Sequence, residues 1–385
     1  MGASLPGIPE GPGANNAALR ERTAERLASA RERVGGLTAF LGFDGFVDEI
    51  LQVVDKRQDA ENYQRLPTIT QLARRIEAAA GKSTNMELVR QTTQFGGSGP
   101  LMANALAGFG LKVTCLGAFG YPSLHPAFAG FAKRAEVYSV AEPASTSALE
   151  FEDGKIMLCR PESLREVTWQ NIKDRFGRDK LAAQLSGADC LGFIDWTMLP
   201  SMTELWSSIL KELCPGLKGP RRKLFIDLVD PEKRTRKDIL EALDLLTAFQ
   251  RYFDVILGLN EKESLEIADA LGLSSEDRSP DGLLRLCQEL HARIGIDTVV
   301  IHPVAFALAS SGDGLAIVKG PLTLKPKITT GAGDHFNAGF CLGRLLGFSA
   351  SECLLTGVAT SGFFVRAASS PGLEDLVKML RSWPN

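Results

Sequence analysis

The stretch Phe253 to Ala268, "FDVILGLNEKESLEIA", changes character at its middle. A short apolar run of strand length ends at Leu259 and a helical stretch follows, which puts Asn260 and Glu263 on one face of a first helical turn. The same alternation runs along the chain. "KVTCLGAFG" (112–120), "ADCLGFIDW" (188–196), "KLFIDLVD" (223–230) and "DTVVIHPV" (297–304) are further short apolar runs, separated by stretches able to form helices. Strands that are apolar nearly throughout, alternating with helices, predict an α/β fold with a mostly parallel sheet covered on both faces. In such a sheet functional groups gather where strands end.

Composition sets the bounds. The 385 residues, 44% hydrophobic and 23% charged, can bury one large core or two modest ones. A formal net charge of -3 leaves no basic footprint for nucleic acid. No run approaches the roughly 18 apolar residues of a membrane span. Residues 1–16, "MGASLPGIPEGPGANN", have no apolar core for a signal peptide and read as a disordered tail ahead of a domain over 17–385. The seven cysteines lie far apart with no C-x-x-C pair, which predicts neither a disulfide framework nor a zinc site and fits reduced thiols in a cytoplasm. His125, His291, His302 and His335 are isolated in sequence and are expected to be structural or surface residues.

Four stretches could carry chemistry. In "TTGAGDHFNAGFCLGRLLG" (329–347), Gly331, Ala332 and Gly333 expose backbone N–H groups where a helix begins, a place suited to an anion, and Asp334 sits in that helix's first turn. Asp334 either complements the helix dipole or accepts a proton from an attacking hydroxyl beside a bound phosphate; the residues alone leave both readings open. In "NEKE" (260–263), Asn260 and Glu263 read first as a capping box, and also suit a magnesium ion held through its waters. "FGGSGPLMANALAGFG" (95–110) fails the G-x-G-x-x-G pattern of a dinucleotide site, because Met102 stands where the last glycine should be. What remains is a turn, Gly96 to Gly99, that lets a ligand touch the backbone before an Ala-rich helix. "GFDGFVDEI" (42–50) places Asp44 and Asp48 near a strand end, where two carboxylates flanked by apolar residues suit sugar hydroxyls. Between these stretches, "STSALEFEDGKIMLCR" (145–160) predicts a hairpin turning at Asp153-Gly154, either an edge ornament or a lid.

In this order the four stretches resemble the ribokinase-like sugar kinases of the PfkB family, over about Leu37 to Leu373. "TTGAGD" followed by "FNAGF" is similar to that family's C-terminal signature. The resemblance implies a three-layer α/β/α sandwich with a small β lid, with lid segments near 44–55, 88–97 and 138–160. It implies Asp334 as catalytic base and the amides of Gly331, Ala332 and Gly333 as the anion hole. Asn260, Glu263 and Thr330 would then serve the nucleotide, with Asn260 and Glu263 near Mg2+ through water. Asp44, Asp48, Gly96, Gly97 and Asn104 would hold the sugar. Two positions depart from the pattern: Ile328 precedes "TTGAGD" where aspartate is usual, and Leu101 stands where asparagine is common. "GGSGPLMANALAGFG", "GFDGFVDEI" and "VVIHPVAFAL" are closer to ADP-dependent sugar kinases of the same superfamily, whereas "TTGAGDHFNAGF" resembles the ATP-dependent branch.

The expected protein is therefore a carbohydrate kinase using ATP, with ADP as the alternative donor, on small-molecule sugar and nucleotide partners, with neither nucleic acid nor membrane involved. A nucleoside kinase and a catalytically silent sugar sensor are the rival readings. An uncovered lid edge could pair between subunits into a homodimer.

Overall fold

The structure is a computed structural model describing residues 17–273 and 276–383, so the expected tail over 1–16 lies outside the described residues. Its strands are β1 (Thr38–Gly42), β2 (Phe46–Arg57), β3 (Tyr63–Arg65), β4 (Leu88–Gly96), β5 (Lys112–Gly117), β6 (Glu136–Ser139) and β7 (Ala144–Glu150). They continue as β8 (Lys155–Arg160), β9 (Cys190–Ile194), β10 (Arg222–Asp227), β11 (Phe253–Leu259), β12 (Thr298–Ile301), β13 (Phe306–Ser311) and β14 (Gly314–Lys319). Among the described residues, nine strands form one sheet in the order β14-β13-β12-β11-β10-β9-β1-β5-β6. From β12 through β6 every neighbouring pair is parallel; β13 is antiparallel to both β12 and β14 and so runs against the rest of the sheet.

Why the strands are apolar throughout follows from their two faces. Along β1, Phe40 joins one core while Ala39 and Leu41 join the other; along β10, Leu224 and Ile226 part from Phe225 in the same way. The first core is closed by helices including Met202–Glu212, Arg236–Phe249 and Pro280–Ile294. The second is closed by Ala17–Ser29, Ser98–Phe109, Ala332–Leu345, Ala350–Ala367 and Leu373–Arg381. Burial on both faces removes the polar alternation of a half-exposed sheet.

A second sheet, in the order β3-β2-β7-β8 with β4 also paired to β2, has a core of its own. Leu51, Val53, Leu149 and Phe151 pack there with Leu66 and with Leu72 of the helix Ile69–Ala78. The hairpin is β7 and β8, paired Glu150 to Lys155 around Asp153-Gly154. One expected boundary moves. Tyr138 and Ser139, placed by sequence in the lid segment 138–160, belong to β6 of the large sheet, where they pair with Leu116 and Gly117 of β5. The chain changes sheets only after Ser139, because β5 offers β6 a free parallel edge.

Candidate active site

The carboxyl ends of the parallel strands deliver acidic groups to one place. Asp44 follows β1, Asp195 follows β9, Asp227 ends β10, and Asn260 with Glu263 follows β11. The helix Ala332–Leu345 adds Asp334 from its first turn. Asp44, Asp195, Asp227, Glu263 and Asp334 are all buried. Burial raises every one of these carboxyls, and the charges they exert on one another push most of them further. Asp44 and Asp334 are each pushed up to about 7. Such a group is short of positive charge and of hydroxyl donors, which is what a sugar and a metal-bound phosphate bring.

The Gly96–Gly99 turn is shaped around two carboxylates. A Cβ on Gly96 would lie 2.3 Å from Asp48 Oδ2, one on Gly97 would lie 2.7 Å from Asp44 Oδ2, and one on Gly99 would lie 2.4 Å from Asp44 Oδ1. Gly97 also has φ 100, a conformation that favours glycine. Asp44 Oδ1 accepts the Gly99 amide at 2.9 Å and so caps the helix Ser98–Phe109. Its Oδ2 is buried without a partner, an acceptor left with unused capacity. Asp48 comes from β2 of the small sheet; burial raises its carboxyl, against a Thr146 hydroxyl bond and the Lys155 charge from the same sheet.

The other glycine turn is left open. Gly331 has φ 91 and precedes the helix Ala332–Leu345. Among the described residues the amides of Gly331 and Gly333 donate to no group, but the Ala332 amide donates to the Thr329 carbonyl at 3.1 Å. Of the three amides that the resemblance assigns to an anion hole, two are thus unengaged, and the middle one closes the turn that carries them. Leu101 finds its place here: its Cδ1 lies 3.2 Å from where a Gly331 Cβ would stand, so the aliphatic residue packs the turn. Ser98, the residue that starts the other helix, works against the burial that raises the Asp334 carboxyl.

Asn260 and Glu263 form the capping box that sequence offered first: Glu263 N donates to Asn260 Oδ1 at 2.9 Å, and Asn260 N donates to Glu263 Oε2 at 2.8 Å. Glu263 Oε1 takes the Asp230 amide at 3.0 Å. Asn260 lines a cavity of about 340 Å³ with His302, Thr329, Ala332, Gly333 and Phe336. The threonine on this wall is Thr329; Thr330, which the resemblance assigned to the nucleotide, does not line it. Asn104, on the helix that the Gly96–Gly99 turn opens, donates from Nδ2 to Ser370 Oγ at 2.7 Å, and its Oδ1 is buried without a partner.

Sequence reasoning passed over Asp195 and Asp227. Asp195 stands near the end of the run 188–196, within reach of the strand-end rule, whereas Asp227 lies inside the run 223–230 and is a strand end only because β10 stops there. Asp195 has φ 62 and accepts the Met198 amide at 3.0 Å; Asp227 accepts from Asn337 Nδ2 at 2.8 Å and from the Val229 amide at 3.0 Å. A non-glycine residue held in the left-handed region beside an active site is strain kept by its surroundings.

Comparison with known proteins bears on this geometry. The profile of the prokaryotic ketohexokinase family matches residues 18–383. A ketohexokinase from Haloferax volcanii is 31% identical over 350 residues, 90% of this chain and 92% of that protein. Among solved structures, a carbohydrate kinase from Agrobacterium tumefaciens superposes with a TM-score of 0.61 at 17% identity, over 91% of this chain and 98% of that one. A ribokinase from Thermotoga maritima gives 0.59 at 16% identity, over 90% and 99%. A ribokinase from Cryptococcus neoformans in complex with ADP gives 0.60 at 16% identity, over 89% and 98%. At those identities the solved structures speak for the fold, which is ribokinase-like.

Proposed function

The chain belongs to the prokaryotic ketohexokinase family and is a carbohydrate kinase, and from that premise we propose that it transfers the terminal phosphate of ATP to a hydroxyl of a ketohexose with Asp334 as base. The observation that carries this reading is the position of Asp334. Its carboxylate stands in the first turn beyond two unengaged amides, close enough to Asp44 and Glu263 for their charges to be felt.

In this reading Asp44, through its orphaned Oδ2, and Asp48 grip sugar hydroxyls against the bare Gly96-Gly97 backbone, with Asp195 facing Asp44 from β9. The attacking hydroxyl gives its proton to Asp334, whose raised pKa matches a base that works near neutral pH. The Gly331 and Gly333 amides stabilise the charge on the transferring group. The 340 Å³ cavity, with Phe336 and His302 on its wall, takes the nucleotide. Asn260 and Glu263, with the buried Asp227 carboxyl nearby, suit Mg2+ held through water; when bound, that ion would neutralise phosphate charge. The small sheet acts as a lid, bringing Asp48 over the sugar and excluding water.

The test is phosphate transfer by purified protein with magnesium, using ATP and ADP as separate donors and a panel of ketohexoses, aldohexoses, pentoses and nucleosides as acceptors. Transfer from ATP to a ketohexose is expected. Transfer from ADP alone would overturn the donor, and preference for a nucleoside would overturn the acceptor.

A further inference from the structure

His335 follows Asp334, yet its ring is buried away from the site and every polar atom on it is engaged. Nδ1 lies 2.7 Å from the Gly331 carbonyl, and Nε2 lies 2.8 Å from Ser370 Oγ. Ser370 Oγ in turn receives Asn104 Nδ2 at 2.7 Å. The ring stacks on Phe364 with centroids 3.6 Å apart and 16° between planes.

The direction of every bond in this chain follows from one end. A carbonyl can only accept, so Nδ1 carries the proton. Burial holds the imidazole down at about 4, so it is neutral and its Nε2 must accept. The Ser370 hydroxyl therefore donates to Nε2, and its oxygen is left to accept from the Asn104 amide. The four groups form a single relay, from the helix Ser98–Phe109 through the C-terminal segment to the Gly331 carbonyl.

That carbonyl also accepts the His335 main-chain amide at 3.1 Å. The other edge of the same peptide plane is the Ala332 N–H, held by Thr329. Both edges of the Gly331–Ala332 peptide are thus pinned, and the two unengaged amides flank it. We propose that the Asn104-Ser370-His335 relay fixes this peptide plane and thereby aims the Gly331 and Gly333 amides at the transferring phosphoryl group, which makes His335, Ser370 and Asn104 positioning residues for the transfer step. The inference rests on reading those amides as the anion hole. It gives Asn104 a part in transfer where sequence had assigned it to sugar binding.

An aim of this kind acts on the transition state, so its loss should appear in kcat and spare the sugar KM. His335→Phe keeps the stack on Phe364 and removes the donor to Gly331. Since one anion-hole donor is worth about 10²–10³ in kcat and a misplacement of about 1 Å about 10², we expect a fall of roughly 10- to 100-fold with sugar KM changed less than about threefold. Ser370→Ala frees the imidazole to change tautomer and should lose less, and Ser370→Thr should restore most of that loss. Asn104→Asp reverses the relay, because the hydroxyl then donates to the carboxylate and no longer to Nε2, so it should be worse than Asn104→Leu.

The readout that needs no variant and no activity is the imidazole ¹⁵N spectrum of the whole protein. It should show His335 protonated at Nδ1 only, without titration between pH 5.5 and 8. An Nε2-protonated ring, a midpoint near neutrality, an unchanged kcat in His335→Phe, or a loss confined to sugar KM would overturn the relay. Failure of the base assignment is seen separately, as an active Asp334→Asn enzyme whose His335 spectrum is unaltered.

Discussion

Two glycine-rich turns open the helices Ser98–Phe109 and Ala332–Leu345, and in the proposed reading only the second receives a phosphate. At Gly96–Gly99 the missing side chains make room for the protein's own carboxylates, and Asp44 already occupies the helix N-terminus through the Gly99 amide. At Gly331–Gly333 the carboxylate is carried by the helix itself, as Asp334, and two amides stay unengaged. A glycine-rich turn before a helix is therefore half of an anion site. The other half is the absence of an internal anion, and in the proposed reading that decides which turn holds sugar and which holds the transferring phosphate.

The largest effect should come from removing the carboxylate of the open turn. Asp334→Asn should lower kcat by about 10²–10⁴, the usual worth of a positioned general base, while a sugar titration by calorimetry stays close to the parent. Retained turnover would break the comparison, since the open turn would then differ from the closed one only in its amides.

The closed turn should answer in the other parameter. Gly96→Ala would press a methyl group against Asp48, and Gly99→Ala against Asp44, at 2.3 and 2.4 Å. Each should raise the sugar KM by roughly 10- to 100-fold, the loss of one or two charge-assisted hydrogen bonds, with kcat changed far less. If the loss appeared in kcat with KM unchanged, the two turns would have exchanged roles.

How far this division was legible in the sequence depends on the residue. The alternation of apolar runs and helices showed the layered sheet, because both faces are covered and the strands could carry no polar pattern. The two turns, Asp334, Asp44 and Asp48 showed in short local motifs. The use of each amide did not show: Ala332 is spent on Thr329, three residues away, and only the bent backbone says so. Nor could Asn104 be followed to Ser370, 266 residues on, since nothing local marks such a contact. Asp195 was within reach of the strand-end rule, but Asp227 was not, because the apolar run continues past it to Val229 and only the structure ends β10 there.

A buried acidic cluster that waits for ligands should make the ligand-free protein less stable as pH rises. Asp44, Asp195, Asp227 and Asp334 have folded pKa values above their unfolded ones, so the stability they lend is complete below about pH 4 and falls as pH rises, being lost through about 7 for Asp44 and Asp334. His302 and His335, held down at about 4, act in the opposite sense between about 6.5 and 4. Four carboxylates against two imidazoles leave a net fall, so Tm should drop from pH 5.5 to 7.5. Asp44→Asn should raise Tm at pH 8 by an amount corresponding to about 1–2 kcal/mol and do little at pH 5.5, where Asp44 is already protonated. An Asp44→Asn protein less stable than the parent at pH 8 would show that the cap on Gly99 outweighs the buried charge.

The smallest effect concerns the third helix start, at Asn260. Its cap is closed on itself: Glu263 accepts the Asn260 and Asp230 amides with its two oxygens, leaving one lone pair on each for a metal-bound water. Glu263→Gln keeps one acceptor and turns an amide group toward the other N–H, so it should cost about 1 kcal/mol of stability, the usual worth of a cap. If the residue meets Mg2+ only through water, the concentration giving half-maximal activity should rise a few-fold, because the ligand is indirect and the charge is shared with Asp227. A rise of a hundredfold or more would mean that Glu263 binds the ion directly, and that the cap gives up one of its amides whenever the nucleotide arrives.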